Sequence, residues 1–229
     1  MYDMLCPGCG HRTAMMILDE IIREKNIKEK IILALDVACC SLLIDFVDYD
    51  SIMCAHGRVL DVTKGYKTMR QENIVISYMG DGAAYSIGME EMVHAARRND
   101  DSFIIVINNG LYSMTGGQVA PTYIDYSDKI DNNSEENCSL LKCGFLIENV
   151  IGKFNINYLA RAALTDSENL SLVKSYIENG LTKYISHGGF NLIELLSPCP
   201  TNYKLSAKDM IDKINNEMSK VYRIGEFIK

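Results

Sequence analysis

Short apolar runs rich in β-branched residues recur along this chain of 229 residues, and they alternate with segments of helical period. In residues 12–25, for example, Met15, Leu18, Ile21 and Ile22 fall on one helical face. Buried runs that alternate with helices predict an α/β fold, whose mostly parallel sheet carries helices on both faces. In such folds, ligands bind beyond the carboxyl ends of the strands. The five runs are KIILALDV (30–37), DSIMCA (50–55), NIVISYMG (73–80), DSFIIVIN (101–108) and GGFNLIELL (188–196).

Composition limits the classes of function. Hydrophobic residues make up 48% of the chain and charged residues 23%, which is typical of a globular domain rather than a disordered chain. The net charge is −7, so the chain has no basic excess with which to bind nucleic acid. We find no secretory leader in the sequence and no apolar run long enough to span a bilayer. We therefore expect a soluble, cytoplasmic protein of one domain, with neither nucleic acid nor a membrane as a partner.

Eight cysteines are many for a protein of a reducing compartment, where disulfides are rare and metal binding or catalysis is the commoner use. Two of them, Cys6 and Cys9, form the stretch CPGCGH (6–11). A Cys-x-x-Cys pair alone is compatible with zinc binding, with disulfide exchange and with an iron–sulfur cluster. The residues that follow decide among these. The eight cysteines stand at positions 6, 9, 39, 40, 54, 138, 143 and 199.

Polar residues follow the third and fourth apolar runs, which end in GDG (80–82) and NNG (108–110). Taken singly, each is a common turn sequence. Because one helix and one strand separate them, Asp81 and Asn109 are expected at the same edge of the sheet. A carboxylate and an amide oxygen suit Mg²⁺, which fills its octahedron with phosphate oxygens and water. The glycines let the backbone approach a diphosphate, and a helix predicted to begin near Tyr85 directs N–H groups toward it.

These motifs and their order resemble a known family. The diphosphate-binding motif of thiamine diphosphate enzymes is similar to the pattern found here, in which GDG is followed, after a helix and a strand, by NN. Longer stretches resemble the β subunit, which binds thiamine diphosphate, of 2-oxoacid:ferredoxin oxidoreductases. The resemblance implies one thiamine-diphosphate-binding domain over 1–229, with a cluster-binding segment (1–11) and a C-terminal helical tail (about 205–229). The stretches are CPGCGH (6–11), HGR (56–58), TKGYK (63–67), NNGLYSMTGGQVAPT (108–122) and SPCPTNY (197–203).

The resemblance also implies how the cofactor is held. Mg²⁺ would be bound by Asp81, Asn109 and the backbone carbonyl of Leu111. The loop 37–40 would lie under the thiazolium side of thiamine diphosphate. The implied cofactor-binding residues are Val37, Ala38, Cys39, Cys40, Gly80, Gly82, Ala83, Ser113 and Met114.

In this family the N-terminal Cys-x-x-Cys pair supplies two of the four thiolates that hold a [4Fe–4S] cluster. The other two come from a loop that reads DVACCS (36–41) here and from Cys199. Counting back from His56 favours Cys39 over Cys40, and the choice stays open. Four thiolates suit zinc as well as a cluster. We expect the cluster, because a redox centre beside the thiamine site has a use. The implied ligands are Cys6, Cys9, Cys39 and Cys199.

Two residues of the HGR stretch are candidates for catalysis. His56 is suited to acid–base work or to a hydrogen bond with the carboxylate of a 2-oxoacid. Arg58, or Lys64 shortly after it, is suited to fixing that negative charge. The alternative for His56 is a turn histidine whose partners are backbone groups, and the resemblance favours the site.

The activity implied is oxidative decarboxylation of a 2-oxoacid to acyl-CoA and CO₂, with electrons passed to ferredoxin. The glutamate that activates thiamine diphosphate comes, in this family, from a pyrimidine-binding domain, and we expect an α subunit to supply it. We expect γ and ferredoxin-like δ subunits, or fused equivalents, to carry the electrons onward. The chain is therefore expected to be inactive alone.

Two other readings stay open. The diphosphate-domain subunit of a non-oxidative thiamine-dependent 2-oxoacid decarboxylase would retain Asp81 and Asn109 but leave the cysteines without a use. A zinc-binding interaction module would explain the cysteines but neither GDG nor NN. Metal identity separates both from the favoured interpretation.

Part of the chain departs from the family. The stretch TYIDYSDKIDNNSEENC (122–138) lacks the family's Pro-x-Gly-Arg pattern, so the resemblance assigns this loop no contact with substrate or coenzyme A. Cys138 and Cys143 have no assigned role. NNGLYSMTGGQ and CPTNY are closer to the 2-oxoglutarate and branched-chain types than to the pyruvate type, and this leaves the substrate open.

Overall fold

The computed structural model describes residues 4–124 and 144–229. Its strands are β1 (Ile31–Asp36), β2 (Ser51–Cys54), β3 (Ile74–Gly80), β4 (Ser102–Asn108), β5 (Leu111–Tyr112), β6 (Gln118–Val119), β7 (Tyr158–Ala163), β8 (Phe190–Leu196) and β9 (Gly225–Ile228). Within these residues, seven strands form one sheet in the order β2-β1-β3-β4-β8-β7-β9. All neighbours run parallel except β9, which is antiparallel to β7. The predicted mostly parallel sheet is confirmed.

The helices are α1 (Gly10–Glu24), α2 (Val59–Met69), α3 (Met89–Arg98), α4 (Ile147–Ile151), α5 (Ser167–His187), α6 (Pro200–Tyr203), α7 (Ala207–Lys213) and α8 (Ser219–Val221). Short 3₁₀ segments lie at Lys28–Lys30 and Cys39–Asp45, and π-helical turns lie at Ala83–Ile87 and Ile214–Met218. None of the helices in the described ranges is both long and apolar enough to cross a bilayer.

Helices cover the sheet on both faces, as the sequence predicts. Successive residues of a strand point to opposite faces, and Ile104 and Ile105 of β4 therefore enter different cores. Ile105 belongs to the core that contains α1 and α5, while Ile104 belongs to the core that contains α2 and α3. The predicted amphipathic helix is confirmed in α1, whose Leu18 is fully buried together with Met15.

The five predicted apolar runs all form strands of the sheet, and each position of β1, β4 and β8 is buried. Since β1, β3 and β4 are parallel neighbours, their carboxyl ends lie along one edge. Asp36, Gly80 and Asn108 are the last residues of these three strands. The loops that carry the predicted site thus leave the sheet side by side.

Three features differ from the sequence predictions. Strand β7 was not predicted, because the charged Arg161 interrupts its apolar run. The C-terminal tail is helical from Ala207 to Val221, but it ends in β9, so the prediction of a helical tail to residue 229 is wrong over its last residues. Gly225, with φ of +155°, begins that strand.

The helix expected near Tyr85 begins earlier, with helical turns at residues 81 and 82.

Candidate functional site

A pocket of about 280 Å³ opens at the carboxyl edge of the sheet, where β1, β3 and β4 end. The structure brings the residues predicted for the cofactor and the magnesium ion together in its wall. His56 joins them from the loop after β2. The predicted residues that line the pocket are Val37, Ala38, Cys39, Cys40, His56, Gly80, Asp81, Gly82, Ala83, Asn109, Leu111, Ser113 and Met114.

Asp81 and Asn109 meet at this edge, although 28 positions of sequence separate them. Asp81 is 1% exposed, and burial raises the pKa of its carboxyl group to about 7. The Thr122 hydroxyl, which donates a hydrogen bond to Asp81 Oδ2, and the backbone N–H of Asn109 act in the opposite direction. A buried carboxylate that is only partly compensated by hydrogen bonds is suited to a cation, and its oxygens suit Mg²⁺.

The loop after β4 is held by its own polar groups. Asn109 Oδ1 accepts a hydrogen bond from the Leu111 N–H at 2.9 Å, and Asn108 Oδ1 accepts one from the Gly110 N–H at 3.2 Å. Gly110 has a φ of +77°, in the left-handed region that favours glycine. The Tyr203 hydroxyl donates to the Asn109 carbonyl at 3.1 Å. The NNG and SPCPTNY stretches are therefore in direct contact.

Gly82 is required by the close approach of a ring. A Cβ atom at this position would collide with the aromatic ring of Tyr112. The chain passes here into the π-helical turn Ala83–Ile87, an irregularity that frequently marks functional sites. Gly82 and Ala83, two of the smallest residues, line the pocket at this turn, which suits the close approach of a diphosphate.

Four of the six described cysteines form one group. Burial raises the pKa of the Cys9 thiol to about 12, and the neighbouring Cys199, Cys39 and Cys6 raise it further. Burial likewise raises the pKa of Cys39 to about 11, with added repulsion from Cys199 and Cys6. Thiols that disfavour one another's ionisation in this way lie close together. They suit a cationic centre that accepts soft sulfur ligands.

Cys40 lies apart from this group. It is 1% exposed, and burial followed by the charges of Asp36 and Cys39 raises the pKa of its thiol. Its side chain belongs to the buried core, whereas Cys39 is partly exposed. Cys39, whose thiol is affected by Cys199 and Cys6, stays the predicted fourth member of the cysteine group. Cys138 and Cys143 lie outside the described residues.

The spacing of the four thiols bears on which centre they suit. In a four-cysteine zinc site with Zn–S bonds of about 2.3 Å, the sulfur atoms stand only about 4 Å apart. Within residues 4–124 and 144–229, no three His, Cys, Asp or Glu side chains converge as a single metal ion requires. A cubane cluster spreads its four thiolates more widely, because each ligates a different iron. Within the described residues, the four thiols are therefore not gathered as closely as a single zinc ion requires.

Cys199 also contacts the pocket wall. Its Sγ lies 3.4 Å from Ser113 Oγ and 3.5 Å from Asn202 Nδ2. Asn202 Nδ2 donates as well to the Ser113 carbonyl at 3.0 Å. Ser113 lines the pocket, so the cysteine group and the pocket share a hydrogen-bonded wall.

Comparison with known proteins agrees with this geometry. Residues 37–195 match the family model of the C-terminal TPP-binding domain of thiamine pyrophosphate enzymes. The chain is 35% identical over 203 residues to the 2-oxoglutarate synthase subunit KorB of Methanocaldococcus jannaschii, an alignment that covers 87% of this chain and 70% of that one. This chain belongs to the β-subunit family of the 2-oxoacid:ferredoxin oxidoreductases.

A second relative is the ketoisovalerate oxidoreductase subunit VorA of Methanothermobacter thermautotrophicus, which is 29% identical over 227 residues. That alignment covers 97% of this chain but 47% of VorA, so the chain spans about half the length of this relative. Among solved structures, the 2-oxoglutarate:ferredoxin oxidoreductase from Magnetococcus marinus matches with a TM-score of 0.75 and 22% identity. This match covers 100% of the chain and 82% of the other, and it confirms the fold.

The two predicted catalytic residues of this β-subunit family member have different surroundings. His56 lines the pocket, and its Nδ1 lies 2.7 Å from Asp36 Oδ2. Arg58 does not line the pocket, because its guanidinium group pairs with Glu91 and, at 3.4 Å, with Glu90. Lys64 pairs with Asp100 at 2.7 Å. His56 therefore stays a candidate residue of the site, whereas Arg58 and Lys64 form ion pairs outside the pocket wall.

Sequence reasoning missed several residues of the site. His11 and Tyr112 line the pocket. Both belong to stretches that resemble the family, but the sequence analysis predicted no role for either residue. Burial lowers the pKa of His11 to about 4, so this imidazole is neutral at pH 7 and lies 3.2 Å from the Tyr78 hydroxyl. Thr122 and Asp36 were missed because their partners are distant in sequence, and only the folded chain brings them together.

Proposed function

We propose that this chain is the β subunit of a 2-oxoacid:ferredoxin oxidoreductase, which converts a 2-oxoacid and coenzyme A to acyl-CoA and CO₂ and passes the electrons to ferredoxin. The observation that carries the proposal is the position of Cys39. This residue lines the pocket and also belongs to the four-cysteine group. A redox centre would therefore stand next to the organic cofactor, an arrangement that has a use in oxidative decarboxylation and little use in a non-oxidative reaction.

In this proposal the pocket holds thiamine diphosphate and Mg²⁺. Thiamine diphosphate supplies the electron sink for decarboxylation. The Asp81 carboxylate, the Asn109 amide oxygen and the Leu111 carbonyl would ligate the magnesium ion, and the backbone at Gly82 and Ala83 would approach the diphosphate. The fit rests on a hard-oxygen donor set at a glycine-bordered edge, and on a buried carboxylate whose charge needs a cation.

The thiols of Cys6, Cys9, Cys39 and Cys199 would hold a [4Fe–4S] cluster. Their mutual repulsion as thiolates would be offset by the iron, and their donor atoms are the ones such clusters accept. Ser113 would hydrogen-bond a cluster ligand while bordering the cofactor. Electrons leaving the pocket would thus have a short path through bonded and hydrogen-bonded atoms.

Other subunits would complete the active site. Among the described residues that line the pocket, Asp81 is the one carboxylate, and the proposal assigns it to magnesium. The glutamate that activates the aminopyrimidine would then come from an α subunit. Val37 and Met114, large apolar side chains in the pocket wall, are 50% and 48% exposed, which suits a surface that a partner covers. The γ and ferredoxin-like δ subunits, or fused equivalents, would receive the electrons.

We further propose the class of substrate and the location. The relatives named KorB and VorA are called a 2-oxoglutarate synthase and a ketoisovalerate oxidoreductase, and the substrate proposed here is a 2-oxoacid of one of these two types. The two substrate types would undergo the same cofactor chemistry. They differ in the substituent of the 2-oxoacid that the pocket must accept. The proposed location is the cytoplasm, where reduced thiols are available to ligate the cluster.

The first test is a metal analysis of the chain, purified without oxygen. We expect about four irons and four acid-labile sulfides per chain and little zinc. One zinc without sulfide would remove the electron acceptor and favour the non-oxidative decarboxylase. Coexpression with the predicted α subunit should then give dye reduction that depends on both a 2-oxoacid and coenzyme A. Turnover by this chain alone would contradict the proposed division of the active site.

The cofactor site needs a separate test. Calorimetric titration with thiamine diphosphate should show binding that requires Mg²⁺, and Asp81→Asn should lower the affinity by about tenfold or more, since a charged ligand is lost. Glu90→Gln serves as the control, because Glu90 is an exposed carboxylate outside the pocket wall. Equal affinities in both variants would overturn the assignment of Asp81.

A further inference from the structure

The buried carboxylate of Asp36 is paired with the imidazole of His56, which lines the pocket. Asp36 is the last residue of β1, and His56 follows β2, the strand beside it in the sheet. Asp36 Oδ2 lies 2.7 Å from His56 Nδ1, and Asp36 Oδ1 accepts the Gly57 N–H, also at 2.7 Å. Asp36 is fully buried, so both of its oxygens are fixed. Two hydrogen bonds therefore hold the Asp36 carboxylate in place beside His56.

The hydrogen bonds assign the tautomer of the imidazole. An ionised carboxylate only accepts hydrogen bonds, and Oδ1 already takes the amide of Gly57. Oδ2 must then receive the hydrogen of His56 Nδ1. The other nitrogen, Nε2, carries the lone pair of the neutral ring. His56 lines the pocket and its side chain is 33% exposed, which leaves Nε2 accessible to a ligand.

The residues around Asp36 and His56 show that the two side chains are paired with each other. Among the described residues, His56 is the one basic side chain in an ion pair with Asp36, because Arg58 pairs instead with Glu91. A charge on His56 would therefore be balanced by Asp36.

We propose that Asp36 is a positioning residue that holds His56 in the Nδ1–H form, so that Nε2 accepts a proton from an S–H group bound in the pocket. The proton moves from that group to Nε2, the donor keeps the electron pair, and Asp36 remains ionised beside the imidazolium. The tautomer follows from the chain alone. The proposed proton donor is the thiol of coenzyme A, and this identification rests on the proposed function.

The tautomer is tested by NMR on the full-length chain labelled with ¹⁵N-histidine. The chain has 4 histidines, and His56→Gln assigns the resonance of interest by its loss. We expect a ring proton on Nδ1 of His56 in the wild type. In Asp36→Asn, the amide group donates to Nδ1, and the proton should move to Nε2. A wild-type ring protonated at Nε2, or a tautomer that is unchanged in Asp36→Asn, would overturn the proposal.

The proposed role of Asp36 in proton transfer is tested by kinetics on the assembled enzyme with its partner subunits. Asp36→Asn should lower kcat by about a hundredfold or more with little change in KM, which is the size of a lost acid–base contribution. Asp48→Asn is the control, because Asp48 is an exposed carboxylate paired with Arg23 and Lys28. A kcat within about threefold of the wild type would contradict the catalytic role.

These two measurements separate the possible failures. If the wild-type assembly turns over no 2-oxoacid but the tautomer moves in Asp36→Asn, the proposed function fails while the positioning of His56 stands. If turnover is normal and the tautomer does not move, the positioning fails and the proposed function stands. Should Asp36→Asn not fold, the wild-type tautomer still decides the proposal.

Discussion

Arg161 and Glu194 form an ion pair inside the sheet, with Arg161 Nε 2.6 Å from Glu194 Oε2 and both side chains essentially fully buried. They are direct partners in the register of β7 and β8. The second oxygen of Glu194 accepts a hydrogen bond from Asn108 Nδ2 at 2.7 Å. Asn108 immediately precedes Asn109, so this buried pair reaches the loop that carries a proposed magnesium ligand.

Replacing Glu194 should therefore affect both stability and cofactor binding. Glu194→Ala leaves Arg161 buried with Glu148 as its remaining carboxylate partner, and we expect a loss of about 3–5 kcal/mol in the free energy of unfolding. Chemical denaturation measures this loss. Because Asn108 also loses its partner, the affinity for thiamine diphosphate should fall, which calorimetry would detect.

The matched control is Glu20→Gln, which weakens the exposed pair between Glu20 and Lys174. Exposed pairs of this kind contribute little, and the loss should stay below about 1 kcal/mol. Similar losses in the two variants would show that burial does not set the strength of the Arg161–Glu194 pair.

The cysteine group predicts opposite outcomes for two adjacent residues. Cys39→Ala should abolish most of the bound iron, because Cys39 belongs to the four-cysteine group and a cluster that loses one ligand is labile. Cys40→Ala should retain the iron, since this thiol lies in the core beside Asp36. Iron and sulfide analysis of the two variants, with thermal unfolding to confirm folding, makes the comparison. Iron loss in Cys40→Ala alone would assign the ligand to Cys40.

Hydrogen bonds to Cys199 should tune the reduction potential of the cluster. Ser113 and Asn202 both lie within hydrogen-bonding reach of its Sγ. Donors to a cluster sulfur stabilise the more negative, reduced state. If one such bond contributes about 1 kcal/mol to the difference between oxidation states, removing it lowers the potential by about 40 mV.

Redox titration followed by EPR spectroscopy measures this effect in Asn202→Ala and Ser113→Ala. Thr201→Val is the control, because Thr201 is an exposed neighbour on the same segment. Potentials within about 10 mV of the wild type in both variants would show that these contacts do not reach the cluster electronically.

The fold and much of the site follow from the sequence because both depend on local patterns. Buried β-branched runs specify parallel strands, and parallel strands bring GDG and NNG to one edge whatever the details of packing. Strand β7 escaped prediction because a strand with Arg161 at its centre is acceptable only when Glu194 and Glu148 pair with that arginine. The partner residues lie 33 and 13 positions away, so no local pattern contains them.

The finer features of the site depend on side-chain direction, which the sequence does not encode locally. The sequence alone does not distinguish Cys39 from Cys40. The 3₁₀ turn that begins at Cys39 places Cys39 with the cysteine group and Cys40 in the core. The Asp36–His56 contact arises from the adjacency of β1 and β2. Arg58 was predicted for catalysis from its motif, but two acidic residues of α3 compete for its charge.

An acidic residue far from the pocket contributes a predicted pH dependence of stability. Asp100 is 7% exposed, and it accepts hydrogen bonds from Lys64 Nζ at 2.7 Å and from Arg98 at 2.6 Å. Burial raises the pKa of its carboxyl group, but the hydrogen bonds from Arg98 and Lys64 outweigh that effect and hold the pKa below its usual value of 3.8. The folded state therefore favours the ionised form.

A carboxyl group whose pKa is lower in the folded state stabilises the protein above its unfolded pKa, and this contribution is lost as the pH falls through the folded value. Asp100→Asn should therefore lower the free energy of unfolding by about 1 kcal/mol at pH 7, a modest figure because Lys64 and Arg98 are half exposed. The deficit should shrink as the pH falls below about 4. Urea denaturation at several pH values measures it, with Asp101→Asn as the control, because Asp101 is 44% exposed. A deficit for Asp100→Asn that stays constant down to the lowest pH would exclude this ionisation as its cause.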